Sequence, residues 1–226
     1  MSSRAPLGSW AGVRWTGRAQ GDALERREGR PRSWEGVVQL PITWLHQVHG
    51  DRVVMVEHPL RGPTQEGDAL VTARSDVALG VLTADCAPVA LASPEGVVGA
   101  AHAGWAGLAR GIIERTVEAM RAMGASRVEA ALGPCIRAEC YQFAAADLER
   151  LTARLGNSIR GATRAGDPAL DLAAGVAAAL HRAGADMVHD EDQCTACSSD
   201  SSLRHRYFSH RAREETERQA MVVWRA

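Results

Sequence analysis

Three short segments of the sequence place metal-binding side chains next to residues that favour tight turns. They are HQVHG at residues 46–50, TADCAP at residues 83–88 and AHAGWAG at residues 101–107. Imidazole and thiolate groups together suit Zn²⁺. One residue from each segment gives His49, Cys86 and His102, and three protein ligands leave a fourth metal position open, as in catalytic zinc sites. The sequence therefore predicts an open zinc site that can activate water or hold an anion.

Each of these ligands has an alternative interpretation. His46 lies three residues before His49 and could bind the metal in its place, although Gly50 favours His49 because glycine permits close approach to the backbone. A cysteine such as Cys86 at the end of an apolar strand is often an inert core residue. A histidine beside a glycine is often a loop residue with hydrogen bonds of its own. Residue types and spacing leave these alternatives open.

Cys194 and Cys197 form a CxxC pair near the C-terminus. Such a pair can act in redox chemistry or supply half of a structural zinc site, but the sequence contains no second CxxC. The pair follows a short predicted strand and precedes a Ser-rich run, whereas a thioredoxin-like motif requires a helix there. We therefore interpret these residues as two loop thiols.

The elements that must position the three metal-capable segments alternate between strands and helices. Apolar and β-branched runs predict strands at residues 42–45, 53–56, 68–72, 77–82, 88–92, 97–102, 128–132, 187–188 and 221–224. Apolar residues at three- and four-residue steps predict helices over residues 108–120, 144–155 and 171–183. The three segments lie at the ends of predicted strands, where ligand sites of α/β proteins form.

Length and composition set the scale of this fold. The chain has 226 residues, of which 46% are hydrophobic and 23% charged, as in a globular protein that buries a sizeable core. We see no internal repeat and no linker in the sequence. We predict one α/β domain overall, with a domain body over residues 41–226 and an irregular N-terminal segment over residues 1–40 packed on it.

Charge and apolar content exclude several partners. The net charge is -1, so the chain has no broad basic field that would attract nucleic acid or an anionic membrane. No apolar run is long enough to span a bilayer, and the first residues lack the apolar stretch of a signal peptide. We expect a cytoplasmic protein whose five cysteines are reduced thiols.

Five sequence strings together resemble a known family. In order they are HQVHGDRV, GDALVT, TADCAPVAL, HAGWAGL and LGPCI. They resemble the family named polyphenol oxidase or laccase-domain proteins, also called peptidoglycan editing factors and treated as zinc-dependent purine nucleoside phosphorylases with adenosine deaminase activity. Each string alone is a weak signal, but five in this order and spacing are specific. The resemblance runs from about Trp44 to the C-terminus.

The resemblance implies a fold, a site and a reaction. Its fold is an α/β sandwich with a mixed β-sheet core flanked by helices. Its metal ligands and catalytic residues correspond here to His49, Cys86 and His102. The implied cofactor is zinc, with copper as the alternative. The implied reaction is phosphorolysis of adenosine, inosine, guanosine or methylthioadenosine, so the partners are a purine nucleoside and phosphate. Deamination of adenosine is a second implied activity.

Four further residues are candidates for substrate binding. Trp105 could stack on a purine or pack in the core at a helix start, and Cys135 could line the same pocket or be a packed thiol. The family has an Arg where this chain has Ala106, so Arg110, one turn further along the helix, is the candidate to replace it. Arg211 lies in SHRAREETERQ, which resembles the family's SYRR…TGRQ.

Three other functions are compatible with these residues. A multicopper oxidase needs His-x-His pairs and the eight histidines form none, but two His and one Cys could hold a single copper in a polyphenol oxidase-like protein. A metal-free cysteine hydrolase would use Cys86 as nucleophile, His102 or His49 as base and Asp85 or another acid as orienter. A non-catalytic zinc-binding module would keep the metal without turnover.

Overall fold

Two main β-sheets pack face to face, and helices cover the outer side of the larger sheet. The structure is a computed structural model that describes residues 7–24, 34, 36–60, 63 and 65–226. One apolar core lies between the two sheets and a second lies between the larger sheet and the helices. This arrangement confirms the predicted α/β sandwich with a mixed β-sheet core. Within the described part of the chain, no helix is long and apolar enough to cross a membrane.

The smaller sheet has four strands. They are β1 (Ala11–Trp15), β2 (Ile42–Thr43), β5 (Ala78–Thr83) and β12 (Gln219–Arg225). Their spatial order is β1-β12-β5-β2. The C-terminal strand β12 pairs antiparallel with both β1 and β5, and β2 pairs parallel with β5.

The larger sheet has six strands. They are β3 (Val53–Met55), β4 (Ala69–Thr72), β6 (Ala87–Ala92), β7 (Val98–Ala103), β8 (Glu129–Leu132) and β11 (Asp186–Asp190). Their order is β11-β8-β6-β7-β4-β3, with parallel pairs at both edges and antiparallel pairs between them. A separate two-stranded ribbon joins β9 (Arg160–Ala162) to β10 (Pro168–Leu170).

The four inner strands of the larger sheet, β4, β6, β7 and β8, are buried on both faces, which explains their mainly apolar sequences. In β6, Val89 and Leu91 pack in the core under the helices, whereas Ala90 and Ala92 pack against the smaller sheet. The helices are α1 (Trp105–Arg110), α2 (Ile112–Ala122), α3 (Ala145–Leu155), α4 (Leu172–Ala183) and the short α5 (His210–Arg213).

Gly111 corrects the prediction of one continuous helix over residues 108–120. It adopts φ 94°, a left-handed conformation that ends α1 and begins α2. The ends of α4 match the sequence pattern better. Asp171 accepts a hydrogen bond from the Ala174 N–H at 2.9 Å, and Gly184 closes the helix at φ 67°.

The expectation of an irregular segment over residues 1–40 is wrong for β1. This strand pairs with β12 in a register that runs from Ala11 opposite Arg225 to Trp15 opposite Met221. Its partner lies at the other end of the chain, so a local pattern contains little information about the pairing. Residues 1–6, 25–33 and 35 of the same segment lie outside the described residues.

Candidate metal centre

His49, Cys86 and His102 come together from three elements of the fold. His102 is in β7, Cys86 is in the turn from β5 to β6, and His49 is in the loop between β2 and β3. One ligand atom of each lies within 4.8 Å of the other two. The two imidazole rings meet edge to face with centroids 4.9 Å apart. The histidine that the 46–50 segment contributes to this group is thus His49, not His46.

Asp68 orients the two histidines and was not among the predicted site residues. It is fully buried just before β4, and its Oδ1 lies 2.8 Å from Nδ1 of His102. This contact leaves Nε2 as the ring nitrogen available to a metal. A carboxylate behind a ligating imidazole fixes its tautomer and raises its basicity. The one available signal was an acidic residue in an otherwise apolar strand, in the string GDALVT.

The same carboxylate holds the backbone of the His49 loop. Asp68 accepts hydrogen bonds from the N–H groups of Val48 at 3.2 Å, His49 at 2.9 Å and Gly50 at 2.7 Å. His49 has φ 58°, which non-glycine residues rarely adopt. Consecutive N–H groups around one anion form a stable nest, which offsets that strain. An exposed imidazole is thereby held in one place.

Gly104 leaves space for the metal ligands. Its φ of -78° is open to any residue. A Cβ atom there would lie 2.9 Å from Sγ of Cys86 and 3.2 Å from Cδ2 of His49. Glycine is therefore required at this position for space beside the ligands and not for backbone conformation.

The charges of the site favour a thiolate. Burial opposes ionisation of Cys86, but His102 and His49 together lower its pKa to about 6. Burial also opposes the charged form of His102, but Cys86 and Asp68 raise its pKa to about 9. For Asp68, burial is outweighed by the hydrogen bonds from His102 and the backbone, which hold its pKa below the usual value.

Asp85 fixes the turn that carries Cys86. Its φ of 98° is strained for a non-glycine residue. Its carboxylate accepts hydrogen bonds from Oγ1 of Thr195 at 2.6 Å and from the N–H of Arg211 at 2.7 Å. The thiol of Cys86 therefore depends on contacts with the C-terminal quarter of the chain. The acid that contacts a histidine is therefore Asp68 and not Asp85, which corresponds to the predicted alternative of another acid as orienter.

A cavity of about 610 Å³ opens beside the three ligands. Its aromatic lining comes from Trp44, Trp105 and Tyr141. Basic side chains line it as well, namely His46, His210, Arg211 and Arg218. The site therefore presents three metal ligands, aromatic rings and cationic groups to one ligand-sized space.

The four residues predicted to bind substrate divide into two groups. Trp105, which is 42% exposed, and Arg211 both line the cavity. Arg110 is not in the lining, and its Nη1 donates to the backbone carbonyl of His49 at 2.6 Å. Cys135 is fully buried in the core, and burial raises its pKa to about 12. The structure thus places Arg110 behind the His49 loop and Cys135 away from the cavity.

The sequence context predicted that Cys194 and Cys197 are simply two loop thiols, but the structure shows that they have metal-capable neighbours. The structure brings Glu139 and Cys140 beside them, so that four potential ligand atoms lie within 4.8 Å of one another. The additional potential ligands come from an adjacent Glu-Cys pair and not from a second CxxC, so no sequence motif indicates them.

Relatives of this chain share its whole length or most of it. A purine nucleoside phosphorylase of Mycobacterium bovis is 40% identical over 186 residues, which cover 81% of this chain and 72% of the relative. A purine nucleoside phosphorylase of Streptomyces coelicolor is 40% identical over 193 residues, covering 84% and 77%.

Solved structures show the same fold. A Neisseria meningitidis protein matches with a TM-score of 0.82 at 29% identity, covering all of this chain and 98% of that one. YlmD from Geobacillus stearothermophilus matches with a TM-score of 0.77 at 26% identity, covering 97% and 93%. A family model matches residues 16–226. The chain therefore belongs to the family described as multi-copper polyphenol oxidoreductase laccase.

Proposed function

We propose that this chain is a zinc-dependent purine nucleoside phosphorylase. The observation that carries the proposal is the open site, which we define as His49, Cys86 and His102, beside a cavity of about 610 Å³. Cavities of this size suit small-molecule ligands. The relatives named purine nucleoside phosphorylase, at 40% identity, support the reaction class.

The open site fits zinc by its donor set. Two imidazoles and one thiol with a lowered pKa are the ligand types that Zn²⁺ prefers. The contact of Asp68 with His102 supplies the usual support behind a ligating imidazole. Bound there, zinc would act as a Lewis acid that polarises a substrate oxygen.

The aromatic wall is suited to a purine. Phe143 packs edge to face against Trp105, with centroids 5.7 Å apart, and against Tyr141, with centroids 5.6 Å apart. These contacts brace the two rings that line the cavity. Aromatic faces stack well on bases, so Trp105 and Tyr141 would orient the base of the nucleoside.

The cationic wall is suited to phosphate. The guanidinium of Arg211 lies 4.6 Å from the Tyr141 ring centroid, and its Nη1 donates to the Gln142 carbonyl at 2.8 Å. A guanidinium has five N–H donors, and this bond uses one of them. Arg211, Arg218 and His210 would hold phosphate while its oxygen forms a bond to ribose C1′. The C1′–N9 bond breaks, and the base leaves with its electron pair and takes up a proton.

Deamination of adenosine to inosine is a second proposed activity. It uses the same nucleoside in the same cavity, with water in place of phosphate as the nucleophile and ammonia as the leaving group. The position of His49, Cys86 and His102 beside the cavity supports it, because these residues would hold a zinc ion, which would supply activation of water.

Two alternatives use the same three side chains. Two His and one Cys also suit a single copper ion, in keeping with the family description. A thiol at pKa about 6 beside an imidazole also suits a metal-free cysteine nucleophile. Metal analysis distinguishes a copper site from a zinc site. Survival of activity after strong chelation would favour the metal-free cysteine nucleophile.

The test is phosphate-dependent release of hypoxanthine from inosine. We expect turnover by the wild type that requires both zinc and phosphate, and none by Cys86→Ala. His181→Ala, which removes an exposed histidine on α4, is the matched control and should keep full activity. Absence of turnover in zinc-loaded wild type would contradict the proposal and favour a zinc-binding module.

A further inference from the structure

A second group of metal-capable side chains lies outside the cavity of the open site. Glu139, Cys140, Cys194 and Cys197 each offer one ligand atom, and all four atoms lie within 4.8 Å of one another. We propose that this group, the closed cluster, is a structural zinc site with three sulfur ligands and one oxygen ligand. It shares no residue with the open site, and the proposal does not rest on the proposed reaction.

The backbone brings the four side chains together from two loops. Glu139 and Cys140 lie in a short 3₁₀ turn, Ala138–Cys140, that follows β8. Cys194 and Cys197 lie in a turn after β11, where the Ser198 N–H donates to the carbonyl of Cys194 at 3.0 Å. Strands β8 and β11 are parallel neighbours, so both loops leave the same end of the sheet. The CxxC turn thus faces the Glu-Cys pair.

The distances are those of a site that needs little rearrangement. In a tetrahedral zinc site with a Zn–S bond of about 2.3 Å and a Zn–O bond of about 2.0–2.2 Å, the sulfur and oxygen ligand atoms are about 3.5–3.7 Å apart. Sγ of Cys197 lies 3.7 Å from Oε1 of Glu139. Cys194 is buried and the other three residues are half-buried, so the ligands are largely withdrawn from water.

Hydrogen-bond donors already face the sulfur atoms. The backbone N–H of Arg137 lies 3.5 Å from Sγ of Cys194, and Nη2 of Arg164 lies 3.3 Å from Sγ of Cys197. Three thiolates and a carboxylate carry more negative charge than one Zn²⁺ neutralises. The guanidinium of Arg164 offsets part of the excess, and donors of this kind commonly support metal ligands.

A disulfide accounts for the geometry less well than a metal does. All five cysteines, each of which is in the described part of the chain, are free thiols. A disulfide would use two of the three clustered sulfurs and leave the third beside a carboxylate. A four-coordinate zinc ion uses all four groups and leaves no open position, which is the composition of a structural site.

The closed cluster would also support the cavity of the open site. Thr195 lies between the two CxxC cysteines and donates to Asp85, the residue before Cys86. Tyr141 follows Cys140 directly and lines the cavity. A metal that fixes both loops would therefore hold one contact behind Cys86 and one wall of the substrate space.

The test is zinc content per folded chain, which needs no activity assay. We expect two zinc ions in the wild type and one each in Cys86→Ala and Cys197→Ser. Cys135→Ala, which removes a buried thiol outside both groups, is the control and should retain two. Equal zinc content in wild type and Cys197→Ser would overturn the proposal, as would an intact mass that shows a disulfide among Cys140, Cys194 and Cys197.

A second measurement covers the case in which Cys197→Ser fails to fold. Cys86→Ala, loaded with Co²⁺, should still show the strong sulfur-to-cobalt absorption of a tetrahedral site with three thiolates. Its absence in the folded variant would overturn the proposal. Neither result depends on nucleoside turnover, so the closed cluster and the proposed function can fail separately.

Discussion

The open site and the closed cluster use similar residue types for different tasks. The open site has two imidazoles and one thiol beside a cavity of about 610 Å³. The closed cluster has three thiols and one carboxylate between two loops. The ligand number separates their functions, because three ligands leave a position for a substrate whereas four complete the shell of the metal.

The contacts that hold the ligands in place also differ between the open site and the closed cluster. In the open site, the carboxylate of Asp68 fixes His102 and the His49 loop, which keeps the ligands in place while one side faces a cavity. In the closed cluster, N–H donors face the sulfurs and the loops themselves are joined. The two groups share no ligand, so substitution of a ligand in one group should leave all ligands of the other group present.

The largest effect is expected from Cys86→Ala. Phosphorolysis should fall by about 1,000-fold or more, because loss of the ligand removes a Lewis acid worth several kcal/mol. The variant should nevertheless keep one zinc ion, held by the closed cluster. Steady-state kinetics and metal analysis on the same sample measure both. Full zinc together with full activity would refute the assignment of the open site.

Asp68→Asn should have the next largest effect. An amide cannot fix the His102 tautomer as a carboxylate does, and its N–H₂ group would oppose the backbone donors of the His49 loop. We expect zinc affinity at the open site to fall about 10- to 100-fold, as for other residues behind metal ligands. Competition with a chromophoric chelator gives the affinity, and unchanged binding would show that Asp68 has no part in orienting the ligands.

The pH dependence of alkylation distinguishes Cys86 from the other thiols. In metal-free chain, its pKa of about 6 predicts a thiolate at pH 7 and a thiol at pH 5. Since the thiolate is the nucleophile, its alkylation rate should fall about tenfold between these values. Cys135, whose pKa is raised to about 12, should stay unreactive throughout. Peptide mapping after iodoacetamide pulses checks this, and a flat profile for Cys86 would contradict the proposed charge environment.

Gly104→Ala tests the space beside the ligands. The added Cβ would lie 2.9 Å from Sγ of Cys86, so the thiol must move. We expect zinc affinity at the open site to fall about three- to tenfold, a modest share of the range for perturbed metal sites. Gly36→Ala is the control, since its Cβ would meet nothing within 4 Å. Equal affinity in both variants would show that the open site tolerates this shift.

Thr195→Val should have the smallest effect on activity and tests the link between the two groups. The change removes the hydrogen bond to Asp85 while keeping the shape of the side chain. Stability should fall by about 1–3 kcal/mol, because a buried carboxylate loses a partner. We expect kcat/KM to fall a few-fold with zinc content unchanged. Thr116→Val, which removes a buried helix hydrogen bond, should lower stability without lowering kcat/KM.

Several elements of the fold and the residues of the open site could be predicted from the sequence. The inner strands of the larger sheet are mainly apolar, and α4 has both of its end signals, Asp171 and Gly184. The open site was predicted from three short segments that combine metal-capable side chains with turn residues, and the family resemblance favoured His49 over His46. These features are local, so a pattern within about ten residues contains them.

The features that were missed depend on contacts between distant segments. Asp68 meets His102 across 34 residues, and β1 pairs with the opposite end of the chain. The closed cluster joins two loops more than 50 residues apart, which the pairing of β8 with β11 and the backbone hydrogen bonds of Cys135 to Gln193 and Thr195 bring together. Helical spacing correctly placed Arg110 in the helix that begins at Trp105, but its side chain contacts the His49 carbonyl and not the cavity.

Anomalous diffraction from crystals of the wild type, measured on both sides of the zinc absorption edge, tests the central claim most directly. We predict two zinc peaks per chain. One should lie among His49, Cys86 and His102 with a non-protein ligand on the cavity side, and one within the closed cluster without such a ligand. A zinc-replete crystal without a peak at the open site would contradict the account.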